Sequence, residues 1–160
     1  NKTCFNGLYR VNSKGKFNVP LGRYTNPNIV NKANLLAVSQ ILQSSNLEFF
    51  CRDFEQSLHD IKKNDFVYFD PPYQPVSQTA NFTSYTNRCF TDDDLERLVN
   101  LAEKLDFIGC KVLLSNSKSN KVENLFSSSK WKIKEIRVNR AINSDSKKRT
   151  GHSEILIKNY

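Results

Sequence analysis

The period of apolar and polar positions changes several times along the 160 residues, and each change predicts an element. "LYRVNSKGKFNVPLGRY", from Leu8, alternates strand formers with polar residues around "NSKGK". It predicts a β-hairpin that ends at Pro20 and projects Arg10 and Arg23. "NPNIVNKANLLAVSQILQ" has apolar residues at 29, 30, 33, 36, 37 and 41. That spacing predicts a helix with Asn26 as cap and Pro27 at its first position, running to about Gln43. "LEFFC" and "FVYF" are short apolar runs that predict buried strands, the first followed by Asp53 and the second by Asp70.

"TDDDLERLVNLAEKLDFI" places Leu95, Leu98, Val99, Ala102 and Leu105 on one face, with Thr91 as cap and Asp94 three residues on. It predicts an amphipathic helix leading into "CKVLLSNS", a third buried strand. "WKIKEIRV" and "EILIKNY" predict two more strands. The order strand, helix, strand is that of an α/β fold with a parallel sheet, in which ligands gather outside the carboxyl ends of the strands. Residues 74–90 form the single long connection, and long loops inside compact domains are usually functional.

Length and composition fit a globular unit: 38% of the residues are hydrophobic and 11% aromatic, enough to build a core. No apolar run reaches the roughly 18 residues of a membrane span, and no basic-then-apolar signal segment opens the chain. A soluble, cytoplasmic protein with no membrane partner is expected. Cys4, Cys51, Cys89 and Cys110 lie far apart, which argues against a zinc ribbon or disulfide framework and for buried reduced thiols. His59 and His152 have no partner at metal-ligand spacing, so no metal is expected. The absence of methionine suggests that Asn1 is an internal cut in a longer chain.

The net charge of +8 is unevenly spread. Residues 1–50 sum to +5, residues 51–129 to −3 and residues 130–160 to +6, so both ends are basic. Basic ends favour a polyanion, because each phosphate neutralised releases counterions.

The chemistry concentrates in "DFVYFDPPYQP", residues 65–75. Two consecutive prolines lock the backbone and force the chain out of the sheet in one shape. The carboxylate of Asp70 and the carbonyl of Pro71 then point into the same space. Converging acceptors suit an NH₂ group, which donates two hydrogen bonds. Tyr73 adds a flat face for a planar base, a contact worth about 1–3 kcal/mol. An exocyclic amine on adenine or cytosine is a poor nucleophile because its lone pair is delocalised into the ring. Holding both hydrogens in fixed acceptors favours the pyramidal amine and stabilises the positive charge that grows on it.

"DPPY" after an apolar strand, with "NGLYRVN" and "FNVPLGRY" upstream and "ANFTSYTN" downstream, resembles the Dam-type DNA adenine-N6 methyltransferases of the D12 class, which modify GATC. The likeness runs along nearly the whole chain. It implies a Rossmann-like, S-adenosylmethionine-dependent methyltransferase sheet, here incomplete, joined to a β-hairpin from the DNA target-recognition domain. The hairpin would occupy residues 1–27 and the carboxyl-terminal part of the catalytic domain residues 28–160.

The resemblance implies that the target adenine flips out of double-stranded DNA into the turn of Asp70, Pro71, Pro72 and Tyr73. Its N6 would be held by Asp70 and the Pro71 carbonyl, and its ring would stack on Tyr73. S-adenosylmethionine would be the methyl donor, with no metal, and Asp53, Phe54 and Asp70 would border it. Asn6, Leu8, Arg10, Pro20 and Arg23 would face the major groove, where Arg can read guanine and an apolar side chain a thymine methyl, and Tyr24 would also contact DNA. Phe82 would wall the flipped base, and Arg140, Lys147, Lys148 and Arg149 would hold phosphates.

One feature of the family is missing. Its cofactor turn has the form F-x-G-x-G, and Gly7, Gly15, Gly22, Gly109 and Gly151 are too far apart to make it. The chain is therefore expected to be the carboxyl-terminal portion of a methyltransferase, monomeric at full length, from a prokaryote or phage. An inactive DNA-binding remnant is the alternative. A sheet lacking its first strand is also expected to expose an apolar face and to be poorly soluble.

Overall fold

A computed structural model describes residues 2–44, 46–58, 60–73, 90–138 and 152–160, the last segment from His152 as backbone and from Ser153 with side chains. The chain divides into two compact units, Asn1–Cys51 with Asn139–His152, and Arg52–Val138 with Ser153–Tyr160.

In the first unit the expected hairpin is present as single antiparallel bridges, Val11 with Phe17 and Cys4 with Leu21. Asn12 closes the turn. Its amide donates to the Lys16 carbonyl at 2.8 Å, and its side-chain oxygen accepts from the amides of Lys14 and Lys16. Gly15 takes a φ of +72°, which a glycine adopts without steric cost. A 3-10 turn, Phe5–Gly7, precedes the arm that carries Leu8 and Arg10.

Helix α1 spans Lys32–Leu42 and starts five residues later than the pattern predicts. Asn26 sits at a φ of +48°, left-handed backbone that cannot open a helix. The cap is Asn31, whose side chain accepts from the Asn34 amide at 3.3 Å. "LEFFC" is not a strand: residues 47–51 join no ladder, and Phe49 and Phe50 are exposed. An apolar run becomes a strand only where a neighbouring backbone pairs its amides and carbonyls. The expectation of buried thiols is corrected at one position, since Cys51 is exposed while Cys110 is buried. Cys89 lies outside the described residues.

The second unit holds the core. Strand β1 (Phe66–Phe69) is followed by helix α2 (Asp92–Ile108), β2 (Lys111–Ser117), the short helix α3 (Asn120–Leu125), β3 (Lys132–Val138) and β4 (His152–Lys158). The strands form one sheet in the order β1-β2-β4-β3. The parallel sheet expected from sequence is in fact mixed: β1 and β2 run parallel, while β4 runs antiparallel to β2.

Helix α2 matches its predicted start. The Thr91 side chain accepts from the Asp94 amide, and the Asp94 carboxylate accepts from the Thr91 amide at 2.9 Å, so two orphan donors of the first turn are satisfied. Gly109 ends it at a φ of +90°. Leu95, Leu98, Ala102 and Leu105 are buried, as are Val112 and Leu114 of β2 and Ile155 and Ile157 of β4. Phe126 meets Trp131 edge to face at 5.1 Å. In β1, Val67 and Phe69 are buried, while Phe66 and Tyr68 on the opposite face are about half exposed.

Candidate active site

The parallel register of β1 and β2 positions the site. Phe69 pairs with Leu114, so Asp70 and Ser115 are the next residues on two neighbouring strands. Asp70 follows the last residue of β1 and Ser115 lies two residues before the end of β2, so both are toward the carboxyl end of the parallel pair, the end at which α/β sheets bind ligands. Because β4 is antiparallel, Ser117 of β2 pairs with Glu154 near the start of β4, which brings that acid to the same end.

The side chains connect accordingly. The Ser115 hydroxyl donates to Asp70 Oδ1 at 2.7 Å, and the Tyr68 hydroxyl donates to Ser115 Oγ at 3.0 Å. Asp70 is exposed, whereas Ser115 is buried. Pro71, Pro72 and Tyr73 are half-buried, and the chain leaves the strand through them. The Tyr73 hydroxyl donates to Glu154 Oε2 at 3.2 Å. Burial pushes the Tyr73 phenol above its ordinary value; a hydrogen bond with Ser115 opposes this, and the Glu154 and Asp70 carboxylates add to it. Tyr73 is therefore neutral at ordinary pH. Residues 70–73 thus follow β1 without regular structure and touch β2 through Asp70 and β4 through Tyr73.

Asp53 and Phe54 belong to a second cluster. Arg97 of α2 donates to Asp53 Oδ1 at 2.8 Å, to Glu55 Oε2 at 2.7 Å and to Asp94 Oδ1 at 3.0 Å. Its guanidinium also lies 4.7 Å from the centre of the Phe54 ring. The Arg97 hydrogen bond, helped by the Glu55 amide, holds the Asp53 carboxyl below its usual range. Hydrogen bonds to Glu55 and then Asp53 raise Arg97 further above its already high value.

In the first unit, Arg10, Pro20, Arg23 and Tyr24 are exposed, and Asn6 and Leu8 are partly covered. Arg10 is held by its own hairpin: Nε donates to Asn18 Oδ1 and an NH₂ group to the Asn18 carbonyl, both at 3.0 Å. Phe82, Arg140, Lys147, Lys148 and Arg149 lie outside the described residues, as do residues 74–89 of the long connection and His59.

Ser115, Tyr68, Glu154 and Arg97 were not among the residues singled out from sequence. "SNS" at the end of an apolar strand is a polar signal, but only the β1–β2 register puts its first serine beside Asp70. Among the described residues no group of His, Cys, Asp and Glu could hold a metal, and no helix is long and apolar enough to cross a membrane.

The family model for D12 class N6 adenine-specific DNA methyltransferases matches residues 1–142. This chain belongs to that family. It is 47% identical over its whole length to the type II methyltransferase M.MjaIII of Methanocaldococcus jannaschii, covering 55% of that protein. It is 44% identical over 98% of its length to the type II methyltransferase M1.LlaDCHI of Lactococcus lactis subsp. cremoris, covering 54% of it. It is also 34% identical over 98% of its length to the DNA adenine methylase of Escherichia coli (strain K12), again covering 54%. The chain thus spans about half the length of the curated relatives it matches.

Proposed function

We propose that this family member carries the amine-binding and DNA-reading parts of a site-specific adenine-N6 methyltransferase that acts on double-stranded DNA, with GATC as its site. The observation that carries the reading is the Asp70 carboxylate, held by Ser115 at a strand end and followed at once by Pro71, Pro72 and Tyr73. In this reading the flipped adenine donates its two N6 hydrogens to Asp70 and to the Pro71 carbonyl. Both acceptors are fixed before the base arrives, so they stabilise growing positive charge on N6 without reorganising. The neutral Tyr73 ring takes the base face, and its bond to Glu154 keeps the ring from turning.

S-adenosylmethionine, when bound, supplies an electrophilic methyl group. The donor set suits it in part. The Asp53 carboxylate is only partly covered, and Arg97 and the Glu55 amide both use its Oδ1. Asp53 and Phe54, with Asp70, are the residues that would hold the donor, while the F-x-G-x-G turn is not among the 160 residues.

The GATC assignment rests on the likeness of "NGLYRVN" and "FNVPLGRY" to the recognition hairpin of GATC methylases. Exposed Arg10 and Arg23 can bind guanine, and Leu8 and Pro20 can meet a thymine methyl. The deciding test is transfer of labelled methyl from S-adenosylmethionine to duplexes with and without GATC, using the full-length gene product and its Asp70→Ala variant. Label on GATC adenine that falls by about 10²–10³-fold or more in the variant is the expected result. Salt-sensitive GATC binding with no label in either protein would instead assign a DNA-reading remnant.

A further inference from the structure

We propose that Ser115, supported by Tyr68, is a positioning residue that sets the orientation of the Asp70 carboxylate toward the adenine amine; this deepens the methyltransferase reading and rests on it. Three observations converge. Ser115 is only 4% exposed, and its Oγ lies 2.7 Å from Asp70 Oδ1, so the contact is a protected, charge-assisted bond. The Tyr68 hydroxyl donates to the same Oγ at 3.0 Å. The Ser115 hydroxyl stands between the two, donating to Asp70 and accepting from Tyr68, and it also meets the Tyr73 hydroxyl. Ser115 lies inside β2, paired with Leu156 of β4, and Asp70 is the first residue after β1, whose last residue pairs with Leu114, so the serine is anchored on sheet backbone beside the strand end that carries Asp70.

The consequence is geometric. An exposed aspartate can rotate its carboxylate plane freely. Committing Oδ1 to Ser115 fixes that plane and leaves Oδ2 to accept from an amine beside the Pro71 carbonyl. Ser115 therefore touches neither base nor donor, yet determines where one of the two amine acceptors points. Outer-shell partners of this kind typically matter by about 10–100-fold.

The test is single-turnover methyl transfer by the full-length gene product, with duplex Kd and Tm measured on the same preparations. Ser115→Ala is expected to slow transfer by about 10–100-fold while duplex Kd stays within about twofold. Ser115→Thr, which keeps the hydroxyl, is expected to recover most of the rate. Tyr68→Phe removes only an oxygen from a half-exposed ring and should lower the rate by a smaller factor without unfolding the protein. A wild-type rate in both Ser115→Ala and Tyr68→Phe would overturn the positioning role and leave the methyltransferase reading standing. Equal losses in Ser115→Ala and Ser115→Thr that track a fall in Tm would overturn it as well, by making the serine structural. A wild-type protein that transfers no methyl would sink the reaction and the positioning role with it.

Discussion

The two units of this chain use similar apolar material to opposite ends. In the second unit, Leu105 is 1% exposed and shares a buried cluster with Val112 and Leu114 of β2 and Ile155 and Ile157 of β4. In the first, Leu36 of α1 is 54% exposed, and among the described residues only Gly7 is buried. Both leucines sit on helices with correct caps. What differs is the presence of a second layer: α2 lies on a sheet that takes up its apolar face, whereas α1 buries none of its residues. Local signals suffice to start a helix, and tertiary packing supplies most of the stability that keeps it. The first unit is held instead by hairpin hydrogen bonds and Asn turns, and it leaves Arg10 and Arg23 exposed.

The largest expected effect tests this difference directly. Leu105→Ala should lower stability by about 2–5 kcal/mol in urea unfolding, through lost burial and a residual cavity. Leu36→Ala should change it by no more than about 0.5 kcal/mol, as at other exposed sites. A loss at Leu36 matching that at Leu105 would mean that α1 is packed in solution and would erase the contrast.

Next in size is the exposed hairpin. Arg10→Ala should lower stability by no more than about 1 kcal/mol, through its exposed bonds to Asn18, and weaken preference for one base pair of the duplex by about 1–3 kcal/mol, measured by competition between matched and singly altered sites. Uniform weakening across all duplexes would make Arg10 a phosphate contact. Thr91→Ala should then remove about 1 kcal/mol through the lost cap of α2, visible as a lower urea midpoint at constant slope.

The smallest effect is electrostatic. Because Arg97 lowers the Asp53 carboxyl, their pairing stabilises the fold above the ordinary aspartate value and is lost as pH falls through the depressed one. Replacing Asp53 with Asn should therefore flatten the acid limb of the stability profile and leave the neutral plateau nearly unchanged, since the pair is exposed. An unaltered acid limb would place the acid sensitivity elsewhere.

Periodicity and capping were enough to read α2, β1, β2 and the last two strands, because each carries its apolar pattern and its stop signals within its own residues. The end of β1 at Phe69 was legible for the same reason, since the prolines that follow need no distant partner to stop a strand. The failures share a cause. "LEFFC" has strand composition but finds no ladder, and Asn26 has cap chemistry but a left-handed backbone. The mixed sheet could not be read either, since strand direction is set by which backbones meet and not by the pattern along any one of them.

The sequence by itself determined the DPPY segment after its strand, the hairpin near the start of the chain and the family to which the chain belongs, all of which are written in short contiguous stretches. Only the tertiary structure decided that Asp70 accepts from Ser115, that Tyr73 is tied to Glu154, and that Arg97 gathers Asp53, Glu55 and Phe54. Those partners lie 42 to 81 residues apart in the chain. Strand register brings Ser115 to Asp70, and register arises from the pairing of distant backbones, which no local pattern encodes.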